Sequence, residues 1–388
     1  MMDHRERVLS ALAHQEPDRV PLALWGSAYG ITDGLYRNLL RGLGWEPLPP
    51  FRRRRGHTVN YYDDRILDLI DADVRHVWLG STDLASPPAE GGVDAWGVPW
   101  RKVGGYRFGY LFAGDPPLAQ AEVEDLESYP WPQVEALVRK EELRERARYL
   151  RDETDYAVAA RAVASYGPFE QACQLRGTEQ FMIDLLTNED FAVTLLDKIV
   201  GVLCRWLEIY LDIIAPYVDI MELPGDDYAS QTAPLISPRL FDKYFKPCWQ
   251  KLINHVKQAS SQIYVLFHSD GAVTSFIPSL LEAGVDILHP LEPVPATDMA
   301  AVKRGYGHQL SFLGGIDIKQ AMTGTEEEVV AEVRRRIGLL AEGGGYILAP
   351  SNHLQPDVPA ENVIALFRAA RKYGTRRHQS KEGQECTR

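Results

Sequence analysis

Cysteine is scarce in this chain. The four in 388 residues, Cys173, Cys204, Cys248 and Cys386, fall at no paired spacing. That excludes a disulfide framework and a CxxC-type zinc ribbon, and a reducing, cytoplasmic setting is expected. Long apolar runs are missing too. No window approaches the roughly 18 apolar residues of a membrane span, and the opening MMDHRERVLSALAHQEPDRV lacks the uninterrupted apolar centre of a secretory leader. Basic charge is in deficit: 42 Lys and Arg stand against 54 Asp and Glu, a net charge of −12. Nucleic-acid and anionic-membrane binders usually carry a basic footprint, so neither partner is expected. An anionic substrate in a locally basic pocket remains open. No GxGxxG turn follows an early strand, which argues against a dinucleotide-binding sheet.

What is present is an alternation. Short apolar runs bounded by turn residues read as strands at 20–26, 74–80, 156–163, 218–225, 262–269, 285–292, 309–315 and 345–351. Amphipathic stretches between most of them read as helices, among them EELRERARYLRD, SPRLFDKYFKPCWQKLINHVKQA and EEEVVAEVRRRIGLLAEG. Strands alternating with helices must pair in parallel, because each crossover returns the chain to the same end of the sheet. About eight such units predict an α/β fold of the (β/α)8 TIM-barrel type rather than an open doubly wound sheet. Residues 1–374 are expected to form one domain, with insertions after the first strand (28–72) and the second (84–132), and 375–388 a disordered tail. The run Arg52 to Arg55 reads as a solvated face.

In such a barrel the active site lies at the C-terminal ends of the strands, so the residues found there are the candidates. The first strand ends in Trp25, and the third leads into Tyr166 and Glu170. The fourth ends in Glu222, followed by Asp226, Asp227 and Gln231. The fifth ends in Phe267, His268 and Asp270, the sixth in His289 and Glu292, the seventh at Asp317, and the eighth in Ser351, Asn352, His353, Gln355 and Asp357. Each has a plain structural alternative. A carboxylate after a strand often caps the next helix, which suits Asp270 and Asp317 as well as any catalytic role and suits Asp357 better. Three histidines and several carboxylates on one rim still point to a shared polar site. Two chemistries fit it: a metal site with histidine and carboxylate ligands and one position open, or metal-free acid/base catalysis. His268 and Asp270, two positions apart, share one side of an extended segment.

Taken in order, RERVLSALAHQEPDRVPLALWG, GPFEQACQLRGTEQFMIDLLTNEDF, GDDYASQTAPLISPRLFDKYFKPCWQKLI, FHSDG, GVDILHPLEP, LSFLGGIDIKQAMTGTEEEV and PDVPAENV resemble the uroporphyrinogen decarboxylase superfamily, from near the N-terminus to about residue 374. The resemblance implies a TIM barrel and one of two activities. One branch removes four acetate carboxyls from a tetrapyrrole without a cofactor; the other comprises zinc-dependent methyltransferases that work with a corrinoid. The decarboxylases carry an arginine-rich segment after the first strand, where this chain reads LALWGSAYGITDGLY. Substrate carboxylates need cationic partners, so the methyltransferase branch is favoured. That branch carries His-x-Cys after the fifth strand and Cys after the eighth. Here Asp270 stands in the first cysteine's place, and the second falls at Asn352 or His353, of which His353 is the better ligand.

The expected metal set is therefore Glu222, His268, Asp270 and His353, an all-nitrogen-and-oxygen site harder than a thiolate one. Zinc is the expected ion, and a corrinoid-binding protein the expected partner. The substrate would be a small methylated, ether-type donor, its pocket lined by Trp25, Tyr166, Asp226, Gln231, Phe267, His289, Glu292 and Asn352. Two alternatives stand beside this. In a decarboxylase, Asp227 or Asp270 would stabilise a protonated pyrrole, with His353 as acid. In a non-enzymatic barrel, a tetrapyrrole or corrinoid would simply be bound. A homodimer is common in the superfamily.

Overall fold

A computed structural model of the chain describes residues 2–50, 59–79, 92–102, 111–133 and 140–375. Arg52 to Arg55 and the tail beyond residue 375 lie outside the described residues. Among the described residues nine strands appear: β1 (Val74–Val77), β2 (Trp100–Lys102), β3 (Leu111–Ala113), β4 (Ala157–Ala160), β5 (Ile220–Glu222), β6 (Tyr264–His268), β7 (Ile287–His289), β8 (Ser311–Ile316) and β9 (Tyr346–Pro350). Seven form one sheet in the order β1-β4-β5-β6-β7-β8-β9, every neighbouring pair parallel. The sheet curls, with helices filling the crossovers, into an α/β fold of TIM-barrel-like form. β2 and β3 make a separate antiparallel pair.

The period of two along each strand divides the core. Val74, Ala157, Ala159, Ile220, Leu266, Ile287, Leu313, Ile347 and Ala349 form an inner cluster inside the curl. Intervening residues such as Val158, Met221, Val265 and Leu288 belong to the larger cluster shared with the helices. Both faces are covered, which is why these strands read as continuous apolar runs. Helix His4–Leu12 sends Val8 and Leu12 into the inner cluster. Asp3 opens that helix with a capping box to Glu6. Asp73, just before β1, ties the helix down by accepting from His4 and Arg7.

The strand expected at 20–26 is not one. Its pairing is a single bridge, Leu22 to Leu348. Leu348 donates to Pro21 O and Ala23 donates back to Leu348 O, while Asp73 N donates to Leu22 O. The segment thus lies extended between β9 and β1 but is too short for a ladder. Pro21 has no amide to give, and Trp25 turns the chain out at φ 71°. The stretch 28–72 contains helices Asp33–Leu43 and Asp64–Ile70; the stretch 84–132 contains β2, β3 and helix Asp125–Ser128. Among the described residues no helix is long and apolar enough to cross a membrane.

Candidate functional site

The inner face changes character at the C-terminal end. Two positions beyond an inner apolar residue, each of five strands presents a polar one: His76 after Val74, Arg161 after Ala159, Glu222 after Ile220, His268 after Leu266 and His289 after Ile287. Four of these, with Ser27, Tyr29, Tyr166, Glu170, Asp227, Asp270, Asn352 and His353, line a cavity of about 220 Å³. His76 lies buried beneath it, in contact with Glu222.

Glu222 sits at the floor, fully buried. Ser27 N donates to its Oε2 at 2.6 Å, Tyr29 Oη to its Oε1 at 2.5 Å, and His76 Nε2 lies 3.5 Å away. Burial alone would push this carboxyl up, but His76, Ser27 and Tyr29 together outweigh it and hold Glu222 at about 2. Burial pulls the Arg161 guanidinium down, with Glu222 its strongest opposing influence. The floor is thus a charge-compensated network. Both oxygens of Glu222, a residue expected among the metal ligands, accept hydrogen bonds within it.

The opposite wall is acidic and less compensated. Asp227, His268 and Asp270 bring potential ligand atoms within 4.8 Å of one another, close enough for one ion. His268 Nε2 stands 3.9 Å from Asp270 Oδ1. Asp270 N donates to Asp227 Oδ1 at 2.7 Å, and Asn352 Nδ2 donates to Asp270 Oδ2 at 2.5 Å. Asp270 Oδ1 is buried and accepts no hydrogen bond. Burial pushes Asp270 up to about 7, with Asp227 and Glu292 adding to the rise against His268 and Asn352. Glu170 is driven well above the carboxylate range by burial and by Asp227, Asp226 and Asp270. Gly225 makes room for the cluster, since a Cβ there would come within 2.7 Å of His268 Cδ2.

The remaining expected residues divide. Tyr166 lines the cavity, stacked on Trp100 of β2 at 6.1 Å between ring centres. His353 also lines it, but its Nδ1 accepts from Gly30 N at 2.9 Å and it stands outside the Asp227–His268–Asp270 cluster. His289 lines it behind His268. Asp226 does not: it caps helix Pro168–Arg176, accepting from Phe169 N, Glu170 N and Tyr228 Oη. Phe267 has the opposite parity to His268 and packs outward on Trp249. Trp25 is core, between Tyr36 and Tyr62. Gln231 is exposed on its loop. Glu292 braces the β6 loop, bonding Gly271 N and Lys319 Nζ. Sequence reading did not single out Ser27, Tyr29, His76 and Arg161 and gave Glu170 no role. The parity of Ala159 and Val74 would have exposed Arg161 and His76.

A family model described as uroporphyrinogen decarboxylase (URO-D) matches residues 112–373. No curated protein matches the sequence. Among solved structures, a methyltransferase from Methanosarcina mazei is similar over 96% of this chain and 99% of its own, with a TM-score of 0.65 at 20% identity. The GH53 catalytic domain of Ignisphaera aggregans aligns over 91% of this chain and 96% of its own, with a TM-score of 0.43 at 11% identity.

Proposed function

This chain belongs to the uroporphyrinogen decarboxylase family, and on that premise we propose that it is a metal-dependent methyltransferase. It would move a methyl group from a small ether-type donor to a corrinoid carried by a partner protein. The carrying observation is the cluster of Asp227, His268 and Asp270 on the cavity wall, with Asp270 Oδ1 buried and unbonded. A buried carboxylate oxygen left unbonded is costly, and a cation between the three groups would relieve that cost. Zinc suits a set of one imidazole and two carboxylates with a position open to substrate. Such an ion would act as a Lewis acid on the donor's leaving oxygen. Asn352 holds the far oxygen of Asp270 so that the near one faces the cluster. Tyr166 and His353 shape the donor's space.

A fold-level likeness to a methyltransferase supports this reading, and so does the charge of the wall. Substrate carboxylates need cationic partners; Glu170 and Asp270 on this wall offer none, and Arg161 is already engaged with Glu222. A cavity of about 220 Å³ also suits a small molecule better than a tetrapyrrole.

The test is methyl transfer from a panel of methyl ethers and methanol to free cob(I)alamin, followed by the absorbance change of the corrinoid. Zinc-loaded protein is expected to turn over at least one donor. His268→Ala is expected to lower the rate about 100-fold or more, since even outer-shell changes cost metal sites about 10- to 100-fold. Uroporphyrinogen turnover by chelator-treated protein, without methyl transfer, would contradict the proposal.

A further inference from the structure

We infer that His289 is a positioning residue, one that fixes His268 in the tautomer whose Nε2 lone pair faces Asp227 and Asp270. This rests on reading that cluster as a cation site. The two imidazoles lie with Nδ1 against Nδ1 at 2.8 Å, their rings stacked at 29°. One of those nitrogens must carry the proton and the other the lone pair. His289 Nε2 decides which. It lies 3.4 Å from Pro350 O, an atom that only accepts, so Nε2 carries the hydrogen. His289 is fully buried, and its two ring nitrogens face a histidine nitrogen and a backbone carbonyl, neither of them an anion, so the ring is neutral and holds one proton. Its Nδ1 is then the acceptor. His268 Nδ1 must donate, and His268 Nε2 is left with its lone pair on the side of Asp270.

The surroundings keep the ring from turning. The Tyr29 ring packs against it at 4.9 Å between centroids. On the β8 side the backbone at Gly314, at φ 102°, comes so close that a Cβ there would sit 3.2 Å from His289 Cδ2. Metal-bound histidines commonly have their second nitrogen fixed by an acceptor. Here the acceptor is a second histidine, itself oriented by a carbonyl. The ligand tautomer is thereby chosen before any ion arrives.

Two measurements test this. Nitrogen-15 spectra of histidine-labelled, metal-free protein are expected to show His268 protonated at Nδ1 and bare at Nε2; the reverse overturns the inference. In the second, cobalt(II) is titrated into wild type and into His289→Phe, which removes the acceptor while filling the space. His289→Phe is expected to bind about 10- to 100-fold more weakly with an altered visible spectrum. His289→Gln, whose amide oxygen can accept, is expected to recover much of that loss. Equal affinity in wild type and a folded His289→Phe overturns the inference and leaves the cation site standing. Should wild type bind no cobalt, the cation site itself fails, and the tautomer in metal-free protein still decides the histidine pair. The same spectra decide it if His289→Phe does not fold.

Discussion

Asp270→Ala is expected to stabilise the cation-free protein and, in the same molecule, to abolish its stabilisation by cation. Lifting a carboxyl from 3.8 to about 7 sets a ceiling of about 4 kcal/mol on the cost of its ionised form in the fold. Its side chain keeps 28% exposure and is partly screened, and alanine also forfeits the bond from Asn352. A net gain of about 1–2 kcal/mol at pH 8 is therefore expected. The opposite effect is larger. Wild type should gain about 3 kcal/mol at a cation concentration 100-fold above its dissociation constant, and the variant should gain little. Urea melts with and without zinc measure both. A variant less stable than wild type without zinc, or equally responsive to zinc, would count against the site.

Asp270, together with buried Asp226, gives the cation-free protein a pH signature. Asp226 and Asp270 hold their protons to about pH 7 in the fold, whereas unfolded aspartates release them near 3.8. Between those values the native state binds more protons, so stability falls as pH rises from about 4 through about 7. Glu222 works in the other direction. Its folded value is depressed to about 2, so its contribution is present above 4.5 and is lost as pH falls toward about 2. Melts across pH 4 to 8 should show the decline, and zinc should remove the share that belongs to Asp270. A rise in cation-free stability over that range would contradict the assignment.

Glu222→Gln is expected to be the most damaging single change at the cavity floor. The carboxylate accepts from Ser27 N and Tyr29 Oη and offsets the charge of buried Arg161. An amide of the same size loses that charge and turns a donor toward one of those partners. Removing one member of a buried charged network typically costs about 3–5 kcal/mol. Urea denaturation reads the loss, and a change below about 1 kcal/mol would mean that the floor network does not hold the fold. Since Glu222 lies outside the Asp227–His268–Asp270 cluster, the folded fraction of the variant should still bind cation.

The architecture was readable because parallel strands covered on both faces leave unbroken apolar runs, and seven of those runs are strands here. The eighth, at 20–26, has the same composition, but Pro21 and the turn at Trp25 leave it one bridge. The placement of His268 and Asp270 on the cavity was legible from their position at a strand end and their spacing. Glu222 was expected on the metal, yet Ser27 and Tyr29, 195 and 193 residues away, donate to both of its oxygens, a pairing that no local pattern carries. Asp226 and Asp227 are adjacent, yet one faces the helix start at Phe169 and the other faces the cavity. Arg161 was hidden inside an apolar run that looked like continuing strand, although β4 ends one residue earlier.

Calorimetric titration of zinc into the metal-free protein, alongside Asp227→Ala, His268→Ala and Asp270→Ala, tests the central claim most directly. The expected result is one ion per wild-type chain, with binding weakened about 100-fold or lost in each of the three variants. No heat of binding in wild type, or binding that survives all three substitutions, would contradict it.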